Sequence, residues 1–197
     1  MRAKIGLLAL FAAVGSGGNI VLNGDFEADI TGPTNWVNGA SPWGVGYPGN
    51  GAFTANTGSN YVDNGCLGSG CLATAFLYQD LATVIGTYTL TFAYDLGYNL
   101  DGVSGPAELQ VFFNGSQVFD VAATNSNTTD PGWVQVTVSG LTATSTTTRL
   151  EFFARDDPAF LGLDTVSVVD PAVPEPSTLS LIGIGLAACG FVRHRKR

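Results

Sequence analysis

Between Gly86 and Asp95 the string GTYTLTFAYD alternates without a break, placing Tyr88, Leu90, Phe92 and Tyr94 on one side and Thr87, Thr89, Thr91 and Ala93 on the other. A period of two belongs to a strand with one buried and one solvated face, whereas an amphipathic helix repeats its apolar positions about every 3.6 residues. The pattern returns down the chain. Leu109, Val111 and Phe113 lead into Asn114-Gly115, a pair that favours a type I′ hairpin turn, and Gln117 to Val121 come back. Val134, Val136 and Val138 share a face after Trp133, Leu150 and Phe152 share one between Arg149 and Ala154, and Leu163 to Val169 closes the series. Asn125–Asp130 and Thr142–Thr148 read as polar, Thr-rich loops. Nothing in this body reads as a helix, so the expected fold is all-β, an antiparallel β-sandwich.

The two ends follow other rules. Arg2 and Lys4 precede the apolar run Ile5 to Val14 and the small residues Gly15 to Gly18, the order of a secretory signal peptide over residues 1–18. After the body, 19–170, a linker at 171–178 contains Val173-Pro174-Glu175-Pro176; an apolar stretch at 179–192 and a basic cluster at 193–197 follow. A helix over 179–192 would reach only about 21 Å, short of a hydrocarbon core of about 30 Å, which suits a temporary anchor with its basic end in the cytoplasm.

Charge is divided between these parts. Of the eight Lys and Arg residues, six lie in the ends and only Arg149 and Arg155 in the body, which holds fifteen of the sixteen acids. So acidic a domain repels phosphate backbones, which argues against nucleic acid as a partner and favours divalent cations. The single histidine, His194, is in the tail, so the body lacks a Ser-His or Cys-His pair and a histidine metal ligand. The reading is therefore non-catalytic, with a two-carboxylate glycosidase as a remote third choice. Cys66 and Cys71 bracket the tight loop CLGSGC and are expected to form a disulfide in an exported protein.

The succession VPEP, short apolar helix, basic cluster resembles the PEP-CTERM sorting signal. That resemblance implies an exosortase as processing partner, transient anchoring in the inner membrane of a Gram-negative bacterium, and release to the cell surface or extracellular matrix. The phrases NIVLNGDFE, LYQDL before GTYTLTFAY, GWVQVTVSG and GLDTVSVVD occur in the order seen in jelly-roll carbohydrate-binding and galactose-binding-like domains. The resemblance implies that the N-terminal strand lies beside the last one, with a structural Ca2+ between the NGDFE turn and the closing acid. By motif position, Asp25, Glu27 and Asp164 would be its ligands, supplying the hard oxygens calcium takes.

For a sugar, aromatic faces in loops are the natural platform, helped by amides and carboxylates. Trp36, Trp43 and Tyr47 lie in a Gly- and Pro-rich stretch, and Tyr98, Asn99 and Asp101 follow a strand end. These six are the expected carbohydrate contacts, exopolysaccharide being the partner in view. The alternative is a structural envelope or biofilm protein without a sugar site. Trp133 reads as a packing residue; Tyr61 and Tyr78 are left open between packing and binding.

Overall fold

The computed structural model describes residues 17–28, 30–39, 43–48, 53–65, 75–97, 105–125, 130–156 and 159–169. Gly18–Pro171 form one compact unit. Its described residues hold ten strands and no helix, and among them no helix is long and apolar enough to cross a membrane. The first sheet runs in the order β1 (Val37–Asn38), β4 (Ala75–Ala82), β9 (Thr147–Asp156), β6 (Gly105–Phe113), β7 (Ser116–Asn125). The second runs β2 (Gly44–Gly46), β3 (Tyr61–Gly65), β10 (Phe160–Val169), β5 (Gly86–Asp95), β8 (Val134–Ala143). All pairings are antiparallel, and the chain crosses repeatedly between sheets, giving the sandwich that the alternating segments predict and the jelly-roll form that the resemblance implies.

The alternation decides what meets between the sheets. Leu77, Val111 and Phe152 from the first sheet face Leu90, Phe92 and Leu163 from the second, all fully buried. Phe92 lies edge-on to Phe119 at 5.3 Å and to Phe152 at 5.6 Å, so one ring ties both layers together. The N-terminal segment runs along the closing strand as the resemblance implies. Ile20 N–H donates to Val168 O at 2.9 Å, Val166 N–H donates to Gly24 O at 2.8 Å, and Asn19 bridges to Val169. Gln79 turns inward and spends its amide on this segment, accepting from Leu22 N–H and donating to Leu22 O and Asn35 O.

At the β6–β7 turn Asn114 and Gly115 have φ of 53° and 75°, the paired positive values a type I′ turn demands. The Thr-rich stretch expected as a loop is mostly strand, since β8 continues to Ala143 and β9 begins at Thr147, leaving 144–146 as the connection. Threonine is polar but β-branched, so composition hid a good strand former. Thr148 is buried, with its hydroxyl 2.9 Å from that of Thr83. The far face of β5 also departs from expectation. Ala93 and Asp95 are buried rather than wet. Here Phe53, Tyr61 and Trp133 form a triangle of edge-on rings over the second sheet, and Phe53 and Trp133 lie against Gly162. Trp133 donates its Nε1–H to Thr54 O at 2.8 Å, the packing role its sequence suggests.

Candidate functional site

In β4 and β9, residues one place from the core must point out of the sandwich. Because Leu77 and Phe152 are core residues, Phe76, Tyr78 and Phe153 fall on the outer face, with Phe112 of β6 beside them. None of the four is closed off; each ring is partly exposed. Strand register sets them in two rows, Phe76 opposite Phe153 and then Gln110, and Tyr78 opposite Glu151 and then Phe112. Phe76 stacks on Tyr78 with centroids 6.0 Å apart, and Phe112 meets Phe153 edge-on at 5.4 Å. Polar groups bound this aromatic field. Arg149 places its guanidinium carbon 3.7 Å from the Tyr78 ring centre and makes a two-pronged contact with Asp80, at 2.8 and 3.1 Å. That contact holds the Asp80 carboxyl below its ordinary range. At the other end Glu108 stands opposite Arg155 and accepts from Gln110 Nε2 at 2.7 Å. Apolar rings ringed by amides, carboxylates and guanidinium groups are what a flat, hydroxyl-bearing ligand needs.

The loop aromatics are placed differently. Trp36 is 8% exposed, packs on Phe26 and Phe152, and donates its Nε1–H to Asn23 O at 3.1 Å. Trp43 is 1% exposed in the core, its backbone held by Asn38 through two bonds of 2.8 Å. Both rings plug the sandwich and offer no face to a sugar, which corrects the expectation for these two. Tyr47, just beyond β2, is partly buried. Tyr98, Asn99 and Asp101, like Cys66 and Cys71, lie outside the described residues.

The expected metal ligands gather only in part. Asp164 is 0% exposed; its Oδ1 accepts from Thr165 N–H at 2.6 Å and its Oδ2 from Thr57 N–H at 3.1 Å. Glu27 Oε1 accepts from Ser59 N–H at 2.7 Å and Asn60 N–H at 2.6 Å. A Cβ at Gly58 would collide with that carboxylate, so glycine there allows the approach. Asp25 instead lines a neighbouring hollow of about 320 Å³ with Asn23 and Ser167. No group of three or more acidic, histidine or cysteine side chains able to hold a metal occurs among the described residues, so the expected trio reduces to the Glu27–Asp164 pair. Among the described residues no basic side chain acts on Asp164. Burial pushes Asp164 up to about 6, and the nearby Glu27 charge adds to the rise. Burial likewise raises Asp63 to about 6 and, with Asp130 adding to it, Asp95 to about 7.

Residues 172–196 match the PEP-CTERM protein-sorting motif. This chain carries an export-and-sorting signal. The matched stretch takes in Val173, Pro174, Glu175 and Pro176, which lie outside the described residues. No curated protein matches the sequence. Among solved structures, the carbohydrate-binding module TmCBM61 in complex with β-1,4-galactotriose is similar over 76% of this chain and 97% of its own, at 16% identity and a TM-score of 0.51. The K3 cleaved adhesin domain of Lys-gingipain from Porphyromonas gingivalis matches over 76% and 99%, at 19% identity and a TM-score of 0.54. A cyclase from Fischerella sp. TAU matches over 81% and 100%, also at 19% and 0.54. Such likeness shows the sandwich fold and nothing finer.

Proposed function

We propose that this PEP-CTERM-bearing exported protein is a non-catalytic surface or matrix domain that binds polysaccharide on the outer face of its first sheet. The observation that carries the reading is the field of four partly exposed rings, Phe76, Tyr78, Phe112 and Phe153, on adjacent strands within a border of charged and amide side chains. Soluble domains do not ordinarily leave so many rings on one open sheet face without a partner. Pyranose rings present C–H faces to aromatic carbons while their hydroxyls reach Glu151, Gln110 and Arg149. The galactotriose complex of a similarly folded module supports this ligand class, and an exosortase and the inner membrane are the partners implied by the tail.

The same reading gives Glu27 and Asp164 a structural Ca2+. Two carboxylates brought together with no cation beside them, one fully buried, fit a hard divalent ion that completes its shell from backbone carbonyls and water.

Affinity electrophoresis through a panel of neutral and acidic polysaccharides tests the sugar face. Tyr78→Ala and Phe153→Ala are each expected to weaken retardation about 10-fold or more, since a stacked aromatic anchor is worth over about 1 kcal/mol. Retardation that survives both changes, or no retardation by any glycan, sinks the proposal. Trp43→Ala is expected to act by lowering stability, visible in the melting curve.

A further inference from the structure

On the other sheet, two short turns of the same design meet. Asp95 ends β5 and accepts Gly97 N–H on Oδ1 at 2.8 Å; Asp130 precedes β8 and accepts Gly132 N–H on Oδ1 at 2.7 Å. Each turn occupies one oxygen of its aspartate. The β5–β8 pairing, which sets Tyr94 opposite Val134, brings the end of β5 beside the Asp130 turn, and the Asp130 charge pushes the Asp95 carboxyl up. Asp95 is 0% exposed, and its Oδ2 is buried without a donor among the described residues. Asp130, by contrast, is exposed, so the gap between the pair opens to solvent.

The two basic residues of the body do not serve this pair. Arg149 and Arg155 both belong to β9 of the opposite sheet, and Arg149 is engaged with Asp80. A buried carboxylate oxygen beside a second carboxylate, with no donor to satisfy it among the described residues, carries a large desolvation cost unless a proton or a metal cation joins them. We propose that Asp95 and Asp130 form a second divalent-cation site, separate from the Glu27–Asp164 pair, that takes Ca2+ from solvent and clamps the end of β5 to the start of β8. The donors are hard oxygens, as Ca2+ prefers over softer metals. With only two carboxylates and the remainder of the shell from water or carbonyls, the affinity belongs in the range of extracellular modules, about 10⁻⁴–10⁻³ M.

Trp133, one residue beyond Gly132, provides a reporter. Terbium, a luminescent stand-in for calcium, is titrated into the folded domain with excitation of tryptophan, and calcium stoichiometry is measured in parallel by calorimetry. Asp130→Asn keeps the turn acceptor and sits at the surface, so the fold is expected to survive, as near-UV dichroism will verify. The expected result is a fall of at least fivefold in sensitised emission and the loss of one calcium equivalent in Asp130→Asn, whereas Glu27→Gln loses the equivalent bound at its own pair and keeps the emission. Unchanged emission and stoichiometry in Asp130→Asn overturn the site, as does an equal loss of emission in Glu27→Gln, which puts the luminescent ion at the other pair. A wild-type domain that binds no terbium or calcium overturns it too.

Discussion

At pH 8, Asp63→Asn is expected to melt roughly 5–10 °C above the wild-type domain, and the gap is expected to close as the pH falls toward 4. Burial in the outer layer of the second sheet pushes the Asp63 carboxyl up to about 6. A carboxyl whose folded pKa exceeds its unfolded value binds its proton more tightly in the folded state. Stability therefore drops as pH rises between the unfolded value near 4 and the folded value near 6, and the deficit is complete above that window. A rise of about two units corresponds to roughly 2–3 kcal/mol, which for a domain of this size gives the stated shift. Asparagine cannot ionise and escapes the deficit. Melting curves of both proteins from pH 4 to 8 in calcium-free buffer make the comparison, and a gap independent of pH would refute the assignment to Asp63.

Asp63 belongs to a wider division of labour between the two outer faces. The first sheet holds the body's two arginines, and one of them, Arg149, matches the Asp80 carboxylate beside it. The second sheet holds Asp63, Asp95 and Asp164 on β3, β5 and β10, all raised by burial and none with a cationic partner among the described residues. Gly162 of β10 lies directly between Asp63 and Asp95 in the register, under the rings of Phe53 and Trp133. One face is thus suited to a ligand with C–H surfaces and hydroxyls. The other stores negative charge in a half-covered layer, which protons or divalent ions relieve.

How much of this was legible depended on whether the information was periodic. The alternation in GTYTLTFAYD located β5 from end to end, and Asn114-Gly115 located the hairpin, because strand period and turn chemistry are local. The aromatic sheet face was legible in principle and went unused. Phe112-Phe113 and Phe152-Phe153 are doublets inside strands, and a period of two must send one ring of each pair outward. The loop aromatics Trp36 and Trp43, which loop position alone marks as ligand platforms, fold back as plugs. Whether a loop ring returns to the core depends on the path of the loop, which no repeat in the sequence encodes. The meeting of Asp95 with Asp130 was hidden for a similar reason, since the β6–β7 hairpin separates them in the chain and only the β5–β8 pairing brings them together.

Chelation is expected to lower the melting temperature of the wild-type domain at pH 8 by roughly 5–10 °C, and Glu27→Gln is expected to remove most of that response. An ion that binds only the folded state stabilises it by mass action, about 2.7 kcal/mol at a concentration 100-fold above its dissociation constant. For a domain of this size that amounts to the stated shift. Glutamine keeps an oxygen to accept from Ser59 and Asn60 N–H while losing the charge, so it separates ion binding from loop anchoring. Asp164→Ala is the harsher change, because it strips acceptors from Thr57 and Thr165 N–H in a fully buried position and lowers stability with or without the ion. The two variants therefore bracket the answer. Glu27→Gln should melt close to chelated wild type and respond to added calcium only weakly, through Asp95 and Asp130, whereas Asp164→Ala should melt lower still. A chelator that leaves the wild-type curve where it was would show that backbone N–H groups alone hold the Glu27–Asp164 junction, and the ion would have no place there.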